Sequence, residues 1–158
     1  MLNYLTPQKA LSAILIVATA TIAGAWIFQF AGHDPCHLCL LQRWAYYAVI
    51  PLSLVVLLLS DTFAKPGLYL LALILAGSAI FGAYHAGVEW KFWPGPGTCS
   101  GDVSGGLPDL TKTVVACDEA ALRIFGISLA GWNAVISILL AGIAFTGARN
   151  QGSSSVSQ

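Results

Sequence analysis

The chain has 158 residues, 57% of them hydrophobic and only 9% charged, and its mean hydropathy is +0.77. A soluble domain carries about 25% charged residues, so that class is excluded. Seven Lys/Arg balance seven Asp/Glu, and without a basic stripe to neutralise phosphates a nucleic-acid partner is excluded as well.

Taken in chain order, four apolar runs are long enough to cross a bilayer, whose core of about 30 Å takes roughly 20 helical residues. The first, residues 11–31, has no charged side chain. It is too long for a cleaved signal peptide and lacks the charged-then-cleaved pattern of one. A short loop at residues 32–43, GHDPCHLCLLQR, then places Cys36 and Cys39 just ahead of the second run, residues 44–60. Pro51 inside that run is expected to kink the helix. Asp61–Gly67 ends in Lys-Pro-Gly, a turn signal, and the third run, residues 68–88, holds His85 and no charged residue. The longest polar stretch, residues 89–126, contains Cys99 and Cys117. Within it Asp118 is a candidate cap for a short helix over EAALRIF, and Ser128 is one for the last span.

The fourth run, residues 127–148, carries no charged side chain. Asn133, one turn in, reads as a bridge between helices and not as a catalytic group. Small residues four apart, such as Ala72/Ala76 and Ser137/Ala141, let helices approach closely. Residues 149–158 read as a flexible tail. The expected fold class is therefore all-α, a four-transmembrane-helix bundle over residues 1–148.

Four spans put both cysteine-bearing loops on one side of the membrane and both termini on the other. All five tryptophans (Trp26, Trp44, Trp90, Trp93 and Trp132) fall toward the cysteine side. Anchoring at the lipid interface explains such residues, and a ring-lined pocket or docking surface on that side explains the asymmetry. The positive charges do not set the orientation: Lys9, Lys65 and Arg149 oppose Arg43, Lys91, Lys112 and Arg123. Paired thiols form disulfides in an oxidising compartment, which puts the cysteine side outside the cytoplasm.

Four cysteines allow three pairings. Cys36 and Cys39 are near enough to close a small ring, and C-x-x-C spacing tunes thiol acidity. Cys39, just before the second helix, is the sulfur expected to gain from the helix amides, with Arg43 adding to the effect if it folds back. Two bland readings compete with redox work. The disulfides could staple the outer loops, or four thiolates could hold zinc; zinc is disfavoured because 17 residues separate Cys99 from Cys117. Arg43 and His85 tip the balance. Such groups are costly near hydrocarbon unless they are used, and beside a dithiol they could hydrogen-bond the oxygens of a ring-shaped electron acceptor.

Four fragments together resemble the DsbB family of bacterial inner-membrane disulfide-bond formation proteins: PCHLCLLQRW (35–44), GAYHAGVEW (82–90), FWPGPGTC ending at Cys99, and CDEAALRIFGISLAGWN (117–133). The resemblance covers nearly the whole chain. It implies that the protein reoxidises a periplasmic thioredoxin-like dithiol oxidase of the DsbA type. Cys99–Cys117 would then be the pair attacked by that partner, and Cys36–Cys39 the pair that passes electrons to ubiquinone or menaquinone in the membrane pool. It further implies that Cys36 exchanges with the second pair and that Cys39 contacts the quinone, with Arg43 and His85 as quinone-binding residues. The cysteine loops would be periplasmic and both termini, with the 149–158 tail, cytoplasmic. Here the outer loop is shorter than in longer members, and Gln42 stands where some relatives are acidic. A vitamin K epoxide reductase-like protein would carry its C-x-x-C on the last helix, and a stapled scaffold without enzymatic activity would hold disulfides that never turn over.

Overall fold

The computed structural model describes residues 5–59, 61–96 and 116–150. Cys99 lies outside the described residues, as does nearly all of the 149–158 tail. Helix α1 spans Pro7–Phe30, α2 His37–Leu58, α3 Asp61–Glu89 and α4 Leu129–Asn150. All four are long and apolar enough to cross a membrane. Between α3 and α4 lies a minimal antiparallel hairpin of β1 (Arg123–Ile124) and β2 (Ile127–Ser128).

Local chemistry sets the helix starts. Thr6 accepts the Lys9 amide at the head of α1, with Pro7 in the first helical position, where a missing N–H costs nothing. Ser128 Oγ accepts the Gly131 amide at 3.1 Å and caps α4, as its position ahead of the last span suggests. The short helix expected over EAALRIF does not form. Phe125 and Gly126 both take positive φ (52° and 82°), the backbone of a tight two-residue hairpin turn and not of a helix. Asp118 pairs instead with Lys91, whose ammonium holds the carboxyl below its usual range.

Two helices begin nearly two turns ahead of their apolar runs. α2 begins at His37, ahead of the run at 44–60, and α3 begins at Asp61, so the Asp61–Gly67 segment is helical and not a turn. Pro66 lies inside α3, close to its start. Gly67 serves packing: a Cβ there would stand 2.6 Å from Val56 Cγ2, so its absence lets α3 press against α2.

The helices alternate in direction. α1 packs on α2 and α4, and α3 packs on the same two, so the bundle is cyclic. At the terminus end Gln8 donates to Asp61 Oδ1 at 2.6 Å, and Asn150 donates to the Leu5 carbonyl at 3.1 Å. The main core, including Ile14, Val49, Leu71, Leu75 and Ala144, fills that half. Midway along, three buried hydroxyls tie three helices: Ser137 Oγ lies 3.0 Å from both Tyr46 Oη and Ser78 Oγ. Buried polar groups must be partnered, and Ser137 is the shared partner. Ser137→Ala should therefore destabilise the detergent-solubilised protein by about 1–3 kcal/mol. Ser78→Ala should cost less, because the Tyr46–Ser137 bond survives; unfolding midpoints of the two variants check the order.

Candidate active site

The start of α2 builds the site. Cys36 is its N-cap residue, and Cys36 Sγ accepts the Cys39 amide at 3.2 Å. The sulfur favoured by the helix amides is thus Cys36, not Cys39, because the helix starts at residue 37 and leaves Cys39 inside its first turn. Cys36 and Cys39 are free thiols with Sγ atoms 2.7 Å apart, in hydrogen-bonding range. Fully buried His85, from α3, presents Nε2 to Cys36 Sγ at 3.6 Å. The amide of Gln42, one α2 turn after Leu38, holds the other ring nitrogen: its Nε2 lies 2.7 Å from Nδ1. With that amide nitrogen donating, Nδ1 accepts and the ring proton sits on Nε2, toward the sulfur.

These contacts set the acidity of Cys36. The Cys39 side chain hydrogen-bonded to it is the largest influence and lowers its pKa. Burial opposes this, while His85 and the Cys39 amide add to it, and the result is about 4. Arg43 has no part in this. Its guanidinium crosses to α1, donating to Gln29 Oε1 at 2.6 Å and to the Ala25 carbonyl at 3.3 Å.

Cys36 and Cys39 form part of the wall of a cavity of about 380 Å³ between α1, α2 and α4. Its lining is mostly apolar, from residues such as Ile22, Phe28, Leu129 and Ile136, with Arg43, Glu89 and Asn133 as polar members. Among the described residues, two buried side-chain polar atoms lack a partner: Asn133 Nδ2 and Glu89 Oε2. Both residues line this cavity. Gly82 makes room for Asn133, since a Cβ there would lie 3.0 Å from Asn133 Nδ2.

The structure thus gathers Cys36, Cys39 and Arg43 at one cavity. It places His85 behind Cys36, outside the cavity lining. Cys117, buried and disulfide-bonded, packs with Cys36 and Leu38 in one cluster. Of the tryptophans, only Trp132 lines the cavity; the other four are exposed on the outside of the bundle. Sequence reasoning passed over Glu89, read Asn133 as a bridge between helices and gave Gln42 no role in the site. The legible signal was polarity at the edge of apolar runs, four residues after His85 for Glu89 and inside a span for Asn133. The donor atoms of Cys36, Cys39 and His85 lie within 4.8 Å of one another. Two thiolates on one zinc ion stand about 3.8 Å apart, given Zn–S near 2.3 Å, so sulfurs at 2.7 Å are not spaced as metal ligands.

A four-helix membrane bundle with a free dithiol at an apolar cavity, and a disulfide packed on that dithiol, defines a membrane thiol oxidoreductase. Residues 7–147 match the DsbB family, Disulfide bond formation protein DsbB. Disulfide bond formation protein B of Verminephrobacter eiseniae is 29% identical, covering 91% of this chain and 89% of its own. Disulfide bond formation protein B 1 of Burkholderia lata is 28% identical, with 75% of each chain covered. Uncharacterized protein RP370 of Rickettsia prowazekii is 27% identical, with 88% of each covered. No solved structure matches significantly. The chain belongs to the DsbB family, and is a multi-pass inner-membrane oxidoreductase of disulfide bond formation.

The lowered pKa of Cys36 has a sign that can be measured. Its stabilisation of the reduced fold is fully present above the unfolded thiol value, near 8.5, and is lost as pH falls through about 4. Thiolate ultraviolet absorbance of the reduced protein, taken as the difference from Cys36→Ser, should persist at neutral pH and disappear only as pH falls through about 4.

Proposed function

We propose that the protein is a thiol:quinone oxidoreductase. It reoxidises a periplasmic thioredoxin-like dithiol oxidase of the DsbA type and passes the electrons through Cys99–Cys117, then Cys36–Cys39, to ubiquinone or menaquinone. One observation carries the reading. Disulfide-bonded Cys117 packs against Cys36, and Cys36 in turn borders the cavity, so exchange partners and an acceptor site are contiguous. The reading puts the cysteine end of the bundle in the periplasm and both termini in the cytoplasm.

The cavity residues fit a quinone. Ile22, Phe28, Leu129 and Ile136 suit the faces of a flat ring, and the unpaired donor Asn133 Nδ2 calls for an acceptor oxygen. Arg43 and Asn133 would hold the ring oxygens. A bound quinone would supply the two-electron sink that a dithiol needs in order to become a disulfide.

The chain's own steps are thiol–disulfide exchanges. Once the partner has reduced the outer pair, a Cys117 thiolate attacks Cys36 Sγ of the inner disulfide, and Cys39 leaves as a thiolate that takes up a proton. Cys99 then attacks Cys117, which closes the outer disulfide and expels Cys36. Two electrons have moved inward. The expelled sulfur lands on the α2 N-terminus, whose amide holds its charge, and a low-pKa leaving thiol departs faster.

The test is quinone reduction by catalytic amounts of purified protein, with a reduced thioredoxin-like oxidase as donor. Cys36→Ser and Cys99→Ser should each abolish turnover. Asn133→Leu should raise KM for quinone up to about tenfold with kcat held, the worth of one hydrogen bond. Folded wild-type protein that turns over with neither quinone and none of several donors would overturn the reading.

A further inference from the structure

Closing the Cys36–Cys39 disulfide requires the last proton of the pair to leave. The two sulfurs, 2.7 Å apart, share hydrogen-bonding range, and Cys36 already accepts the Cys39 amide. His85 offers no free site for that proton, since Gln42 occupies Nδ1 and the ring proton sits on Nε2. Of the three carboxylates that line the cavity, Asp34, Glu89 and Glu119, only Glu89 is buried. It ends α3 one turn beyond His85, its side chain is only 5% exposed, and its Oε1 lies 3.9 Å from His85 Nε2. Its other oxygen has no partner among the described residues, and the residue lines the same cavity as Cys39. A buried carboxyl group left half-satisfied is costly unless the site uses it.

We propose that Glu89 is the base that takes the proton from Cys39 when the inner disulfide closes. The Cys39 S–H bond breaks, the S–S bond to Cys36 forms, and the proton goes to the Glu89 carboxylate. The two electrons leave to the quinone-class acceptor named above. Glu89 is then a neutral carboxyl at the cavity, placed to give the proton up there, and His85 Nε2 lies 3.6 Å from Cys36 Sγ and 3.9 Å from Glu89 Oε1. The inference rests on Cys36–Cys39 being a redox pair, as proposed above. Other titratable side chains facing the cavity are Arg43 and Tyr46 from α2, His33 and Asp34 from the loop before it, and Glu119 from the segment before β1; α1 and α4 contribute none.

The same proton transfer operates in a reaction that needs no quinone. One equivalent of methyl methanethiolsulfonate places a methylthio group on Cys36 of quinone-free, reduced protein carrying Cys99→Ser and Cys117→Ser, so that no outer thiol competes with Cys39. Cys39 must then lose its proton, attack Cys36 Sγ and expel methanethiolate, and mass spectrometry follows the loss of the adduct. Glu89→Gln should slow this resolution about a hundredfold near neutral pH, the lower range for a positioned base. The deficit should shrink as pH rises and hydroxide takes over, and Glu89→Asp should restore part of the rate. A Glu89→Gln rate and pH profile equal to those of the parent with Glu89 intact would overturn the proposal, as would an equal slowing in Glu89→Asp and Glu89→Gln at every pH, which marks a merely structural residue. Resolution of the adduct through Glu89 in a protein whose wild-type form never reduces quinone would sink the quinone reading and leave this one standing.

Discussion

The hydrogen bond from the Cys39 amide to Cys36 Sγ is the contact on which the rest of the site depends. It makes a sulfur the cap of a membrane-spanning helix. A helix N-terminus carries unsatisfied amides and a partial positive charge. Cys36 meets that demand as a thiolate and meets it poorly within a disulfide. Reduction of the pair and stabilisation of α2 are therefore coupled at one atom.

The groups around that atom come from different helices and act at different ranges. Gln42, on the same helix, orients His85 by taking one ring nitrogen. His85 then directs its other nitrogen at the sulfur. Arg43 is turned away toward Gln29 and the Ala25 carbonyl, so its charge serves the cavity and the α1–α2 contact. This division leaves one side of the dithiol facing protein and the other facing the cavity. Cys117 packs on the protein side.

The bundle tolerates such a polar end because its other end is conventional. Below the Tyr46–Ser137–Ser78 hydroxyls the core is aliphatic, and small residues such as Gly67 let the helices close without gaps. Near the cysteines the helices leave a cavity instead. Asn133 and Glu89 reach it with atoms that the protein does not satisfy, so the stable half of the molecule bears the cost of the reactive half.

Much of this was legible in the sequence. Four apolar runs dictate four spanning helices, since uncharged stretches of that length have no cheaper place than a bilayer core. Span parity brings the cysteine-bearing segments to one end, and the C-x-x-C motif beside Arg43 marks that end for thiol chemistry. Helix starts were less legible. Apolar runs report where lipid begins, whereas hydrogen bonding decides where the helix begins, and α2 starts ahead of its run because Cys36 can cap it. The hairpin at Phe125-Gly126 was missed because a non-glycine residue at positive φ leaves no compositional trace. Only the tertiary structure decided which sulfur caps α2, that His85 faces Cys36 and not the cavity, and that Glu89 and Asn133 border it. Those facts depend on the rotation and depth of each helix against its neighbours, and these are set by packing between residues as distant as Gly82 and Asn133, which no local pattern encodes.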